Sequence, residues 1–272
     1  MSARRRFRTL RSAGLLVVAI GTLSSRAGAL DAFELQVYQA DINRPGQFGL
    51  ELHANYTVRG QEAAESPGQI PANHTAHFAI EPALGIAEWF EVGAYLQSML
   101  SPEGADFGGA KVRGKFVVPT RHTAPFFLGI NVEVGRVPRQ VEEAGWANEF
   151  RPIIGWSNGR FLVGVNPIVG YALSGPDRFR TDFEPAAKFG INTDEGFMLG
   201  LEYYAGLGLL DTGLSPLHDQ QHLLLFTFDL VRPVAEGDAE ADGWELNVAL
   251  GRGLTDATPA QWITKLIMGH AF

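Results

Sequence analysis

The stretch FGLELHANYTVR, residues 48–59, decides the fold class. Phe48, Leu50, Leu52, Ala54, Tyr56 and Val58 fall on one parity; Gly49, Glu51, His53, Asn55, Thr57 and Arg59 fall on the other. A strand sends successive side chains to opposite faces, so this segment has one apolar face and one polar face. A helix, with about 3.6 residues per turn, would mix the two sets.

Working outward, the same alternation recurs around Phe78, Phe90, Val112, Phe126, Phe150, Phe161, Phe183, Phe197, Leu224, Trp244 and Trp262, which gives twelve candidate strands. Most run for 9–14 residues. Strands of soluble sheets have a mode of about 5–6 residues, whereas a tilted strand needs about 9–11 to cross a bilayer. The polar parity alternates glycine with ionisable groups, which suits a crowded aqueous lumen, and the apolar parity suits lipid. A soluble barrel would reverse this, with large apolar residues inside and Lys, Glu, Thr and Ser outside. The expected fold is therefore all-β: a single antiparallel transmembrane barrel of about twelve strands.

Composition excludes the main alternatives. The 272 residues include 32 glycines and no cysteine, and are 46% apolar and 19% charged. An ordinary soluble domain carries about 25% charged residues. The apolar fraction is too high for disorder, and the missing cysteine removes disulfides and thiolate metal sites. No later stretch approaches the roughly 20 apolar residues of a membrane helix. The acidic balance argues against nucleic acid as a partner.

The first residues read as an export signal. Arg4, Arg5, Arg6, Arg8 and Arg11 precede an apolar run from Ala13 to Leu23, and Ala27-Gly28-Ala29 supplies small residues for cleavage after Ala29. Removing 1–29 takes six arginines and no acid, so the formal charge of −8 becomes −14, with 16 bases against 30 acids. The expected organisation is a signal peptide at 1–29, an N-terminal periplasmic segment at 30–45 and the barrel at 46–272. Connections alternate between short ones, such as Ser157-Asn158-Gly159, and long ones, such as 61–73 and 136–147. Short periplasmic turns and long external loops are the outer-membrane layout. The expected location is the cell outer membrane. Pro82, Pro152, Pro167 and Pro185 fall inside candidate strands, where a proline cannot donate to the ladder. Bulges or missing bonds are expected there, and a split strand would change the count.

The inward parity assembles the candidate site. Its acids are Glu51, Glu81, Glu91, Glu133, Glu149, Glu184, Glu202, Asp229 and Glu245; its bases are Lys111, Arg113, Lys115, Arg151, Lys188 and Lys265. One reading is a pore whose ionised wall screens solutes by charge and favours cations. The other is a salt-bridged plug that ties the wall together, because charges in a narrow lumen are usually paired. Lys111, Arg113 and Lys115 on one strand require acidic neighbours or an anionic ligand. His53 and His77 face inward on adjacent strands, but without carboxylates at ligand spacing a hydrogen-bonded structural role is favoured, and no metal or cofactor is expected. No serine–histidine signature stands out, so no catalytic residue is assigned. A structural or plugged barrel and a barrel-wall lipid hydrolase are the alternative functions.

The chain ends on Phe272, with Met268 and Leu266 at alternating positions and Trp262 further back. This resembles the C-terminal signal that the barrel-assembly machinery reads in bacterial outer-membrane barrels, although His270 departs from the bulky apolar residue usual there. The stretches FELQVYQADI (33–42), GINVEVGRVPR (129–139), NPIVGYALSGPD (166–177) and GLEYYAGLG (200–208) look like an outer-membrane barrel family similar to the putative transporters of the MetA-pathway of phenol degradation. That resemblance implies passage of a small solute across the outer membrane, with lipid and the assembly machinery as partners. No catalytic residues come with it.

Overall fold

The computed structural model describes residues 30–143, 145–176, 178–193, 195–230 and 243–272. The expected signal peptide, with its cleavage residues Ala27 and Ala29, lies outside the described residues, as does the connection 231–242. Fourteen strand segments are present: β1 (Phe48–Gly60), β2 (Ala76–Ala87), β3 (Phe90–Ser101), β4 (Gly104–Val118), β5 (Phe126–Arg136), β6 (Trp146–Ser157), β7 (Phe161–Asn166), β8 (Val169–Ala172), β9 (Thr181–Phe183), β10 (Ala186–Asn192), β11 (Phe197–Gly206), β12 (Gln221–Leu230), β13 (Gly243–Gly253) and β14 (Ala260–Ala271). Neighbours pair antiparallel in chain order, and β1 pairs with β14 to close the barrel.

The fourteen segments make twelve staves, because two of the four prolines interrupt strands without shifting them. Against β6, Ile154 pairs with Val165 and Phe150 with Val169, so β7 and β8 continue one register across Pro167. Asn166 pairs with Ala186 and Val169 with Phe183, so β9 and β10 do the same across Pro185. Pro82 and Pro152 stay within continuous strands, opposite Leu50 and Ile130. The shared register sets Pro152 opposite Pro167, where neither residue offers an N–H. The Asn166 side chain fills that gap: its Nδ2 donates to the Pro152 carbonyl at 3.2 Å.

The two parities separate as the sequence predicts. Leu96, Val112 and Phe226 are more than half exposed on the outer surface, while Gln97, Asn131 and Thr227 inside are fully buried. The polar core and apolar exterior suit a lipid surroundings, since an unpaired apolar belt of this extent is costly in water. At the short-connection end the aromatics form a stacked band: Phe90 lies 4.5 Å from Phe116, and Phe197 lies 5.1 Å from Phe228. His270 belongs to this band. It stacks on Trp244 at 4.8 Å and meets the edge of Phe272 at 4.6 Å, so an aromatic ring stands where a bulky apolar residue is usual.

One expectation fails. Residues 30–45, read as a periplasmic segment outside the barrel, run through the lumen. Leu30 N donates to Gln221 Oε1 at the long-connection end, and Gly46 N donates to the Gly85 carbonyl at the short-connection end before the chain turns into β1. Phe33, Glu34, Leu35, Val37 and Tyr38 are all buried. The physical reason is that the barrel interior already carries partners for both faces of the segment. Leu35 and Val37 pack with Ile168, Ala186, Tyr204, Leu223, Leu225 and Ile263, and Phe33 packs with Ala79, Tyr95 and Met99.

Candidate functional site: a lumen threaded by the N-terminal segment

The inward charges sort into two groups. The first lies on β2–β6 and grips the threaded segment. Lys111 pairs with Asp31 of that segment and stands 3.5 Å from Glu133 and 3.9 Å from Glu34. Arg151 reaches Glu34 at 3.3 Å and Glu149 at 2.7 Å, and its guanidinium lies over the Tyr38 ring, 4.4 Å from the centroid. Arg113 bridges Glu81 at 2.5 Å and Glu91 at 2.8 Å. Lys115 reaches Asp41 at 3.5 Å. The three like charges of β4 therefore find acidic neighbours partly on adjacent strands and partly on the threaded segment.

Polar contacts fix the register of the segment. The Tyr38 hydroxyl donates to Glu34 at 2.6 Å and touches the Tyr95 hydroxyl. Asn43 donates to Glu91 through both its backbone N and its Nδ2, each at 2.7 Å. Asn166 accepts from Tyr38 N at 2.6 Å and donates to the Tyr38 carbonyl at 3.1 Å, so one amide both completes the wall and clamps the segment. A buried amide that meets its partners on both sides is strongly oriented, because each unmet bond would leave a desolvated polar group.

The second group lies on β10–β14. Lys188 pairs with Glu202 at 3.1 Å and Asp229 at 2.7 Å, and Lys265 pairs with Glu202. Tyr204 donates to Glu202 at 2.7 Å, and Asn247 donates to Asp229 at 2.5 Å. Lys188, Glu202, Asp229, Asn247 and Lys265 face a cavity of about 1240 Å³ that opens among the short connections. Deeper in, the apolar cluster around Leu35 and Leu225 fills the space between the segment and the wall. The lumen is thus a chamber open towards the short connections and packed towards the long ones.

The remaining predicted residues also have places. Glu245 and Glu51 line the chamber. Glu184 is half-buried beside Pro185, where its N–H donates to the Ile168 carbonyl. His53 and His77 are not brought together as a pair. His77 meets the Phe33 ring edge-on at 4.8 Å, whereas His53 sits 3.2 Å from Glu81 and 3.5 Å from Glu51. Glu51, His53 and Glu81 place one ligand atom each within 4.8 Å of one another. Arg113 already bonds Glu81, so a cation is built into that cluster. The residues that sequence reasoning missed are Asp31, Glu34, Tyr38, Asp41 and Asn43 of the segment and Asn166 of the wall. The spaced acids before the first strand were the available signal, since the inward bases needed partners.

No family model matches the chain, and no curated protein matches it. Among solved structures, the chain is similar to an outer membrane channel from Pseudomonas putida F1, at 12% identity and a TM-score of 0.57, covering 88% of this chain and 100% of that one. It is also similar to the KdgM porin in complex with disordered oligogalacturonate, at 8% identity and a TM-score of 0.51, covering 82% of this chain and 99% of the porin. The fold is shared with outer-membrane channels.

Proposed function

We propose that this chain is an outer-membrane channel for small solutes, exported by the N-terminal signal, with its own N-terminal segment seated in the lumen in the conformation described. The observation that carries the reading is the closed twelve-stave barrel with an apolar exterior and a solvent-sized chamber inside. Both similar structures are channels or porins by name, which supports the same reading. The C-terminal residues Trp262, Leu266, Met268 and Phe272 fit recognition by the barrel-assembly machinery. The resemblance to the putative MetA-pathway transporters supports passage of a small solute. No enzymatic role is proposed.

Refolded protein in a planar bilayer tests this. Discrete conductance steps are expected, with a preference for cations set by the acidic chamber. A silent bilayer, for the full chain and for a chain lacking residues 30–45, would refute transport. The packed half of the lumen favours a second reading, a plugged structural barrel, and that result would support it.

A further inference from the structure

We propose that the outer face of the barrel seam, where β13, β14 and β1 meet at the long-connection end, binds the phosphate of a phosphorylated glycolipid in the outer leaflet. Arg59 and Arg252, on either side of Trp262, would hold it. The site stands apart from transport: it needs only a barrel placed in an outer membrane, and it holds whether or not the lumen conducts.

A bulge re-aims Arg59. In strict alternation Arg59 shares its parity with Glu51, His53 and Thr57 and points into the lumen. The register of β1 on β14 shifts between Thr57 and Arg59: Thr57 pairs with Ile263, and Arg59 pairs with Trp262. Thr57 and Ile263 are buried inside, whereas Val58, Arg59 and Trp262 are all exposed. Directly opposed residues of an antiparallel pair share a face, so Arg59 joins Trp262 on the outer surface. An extra residue in one strand is the usual way a sheet turns a side chain to a new direction. On the other side of Trp262 the register brings Arg252 of β13. Its guanidinium lies over the indole, 5.3 Å from the ring centroid. The two arginines are two strand spacings apart, about 10 Å between backbones, so their long side chains can close on one phosphate from both sides.

The outer surface supplies no counter-charge of its own. Every carboxylate of the described strands lies on the inward parity. The outward parity carries Arg59, Arg136 and Arg252, all at the long-connection end, and each stands opposite a tryptophan, Arg136 opposite Trp146. Among the described residues no carboxylate pairs with Arg59 or Arg252. Tyr56 and Trp262 mark this rim as the interfacial girdle, so the guanidinium groups stand at headgroup level, where a lipid-facing cation is tolerated. A phosphate there offers paired oxygens that match the guanidinium fork. A phosphate monoester carries more charge and one more free oxygen than a phosphodiester, which favours a phosphorylated sugar over an ordinary phospholipid. Arg136 has one tryptophan and no second arginine beside it, so only the seam can grip from two sides.

The test uses the full chain in dodecyl maltoside, with bound lipid counted by native mass spectrometry. Three probes are titrated: diphosphoryl lipid A, its fully dephosphorylated form and phosphatidylglycerol. Diphosphoryl lipid A is expected to bind saturably and roughly tenfold tighter than the dephosphorylated form, with phosphatidylglycerol between them. The double variant Arg59→Gln, Arg252→Gln is expected to lose most of that tenfold. The double variant Arg121→Gln, Arg139→Gln removes the same charge elsewhere and is expected to keep it. Equal binding of the two lipid A forms, or phosphatidylglycerol as tight as diphosphoryl lipid A, would overturn the glycolipid site. Displacement of lipid A by millimolar inorganic phosphate would also overturn it, in favour of a free-anion site. An unchanged ranking in a seam variant that keeps heat-modifiable gel mobility, or equal losses in both double variants, would remove the role of the two arginines. The ranking on the native chain needs no variant, so a misfolded mutant does not blur the result. A silent bilayer with an intact ranking removes transport and keeps the lipid site; conductance without the ranking does the reverse.

Discussion

The β2–β6 wall and the β10–β14 wall carry similar residues and use them differently. On β2–β6, Lys111, Lys115 and Arg151 reach across to Asp31, Asp41 and Glu34 of the threaded segment. On β10–β14, Lys188 and Lys265 are satisfied by Glu202 and Asp229 of the same wall, and the chamber stays open beside them. An inward charge is therefore not by itself a pore determinant. What matters is whether its partner is in the wall or in the lumen. The first wall pairs its charges with the N-terminal segment; the second completes its ion pairs within itself and meets the segment through apolar contacts.

Removing the segment should break this contrast most strongly. Deletion of residues 30–45 is expected to raise single-channel conductance and to lower thermal stability, because the β2–β6 bases lose partners while the β10–β14 cluster keeps its own. Equal conductance with and without the segment, measured in planar bilayers, would show that it does not obstruct the path. Arg151→Ala comes next. It removes a buried guanidinium and strands Glu34 and Glu149, and breaking such a pair costs about 3–5 kcal/mol. The urea midpoint in detergent should fall accordingly, and a shift no larger than that of a surface variant would contradict the burial of the pair.

Asn166→Ala sharpens the comparison at a single residue. It leaves the Pro152 carbonyl and the Tyr38 backbone short of partners, at a cost of about 1–3 kcal/mol. Hydrogen exchange should rise at Tyr38 more than at β12 or β14; uniform exchange would refute the clamp. Lys115→Gln should have the smallest effect, below about 1 kcal/mol, because Asp41 is half exposed and the pair is screened by water. A large loss of stability there would mean that the pair is tighter than its 3.5 Å separation implies.

Much of the barrel was readable from alternation alone. The twelve periodic stretches correspond to the twelve staves, and their two parities face as expected, because a stave with lipid on one side and a lumen on the other must alternate. The prolines were readable as disturbances. Their outcome was not, because a register that continues across Pro167 and Pro185 depends on neighbouring strands. The segment at 30–45 escaped for a different reason. FELQVYQADI alternates like a strand, yet it pairs with no strand and is buried on both faces, and periodicity carries no record of which partners lie across a lumen. The inward acid surplus was likewise visible as a count, while its division between segment, wall and chamber required the three-dimensional pairing. His53 and His77 illustrate the limit: both face inward, but one meets carboxylates and the other a phenyl ring.

The seam between β1 and β14 gives the threaded segment a topological consequence. The segment leads directly into β1, which is one lip of that seam. A closed ring admits a thread only through an open end, whereas an unzipped ring can be wrapped around one. A sheet still parted between its first and last strands presents the β2–β6 bases sideways to residues 30–47, with only the turn at Gly46 separating them from the strand that will seal the ring. The strand that the last one must reach to seal the ring is thus the one that carries the segment, so seam and filling share a single hinge at Gly46.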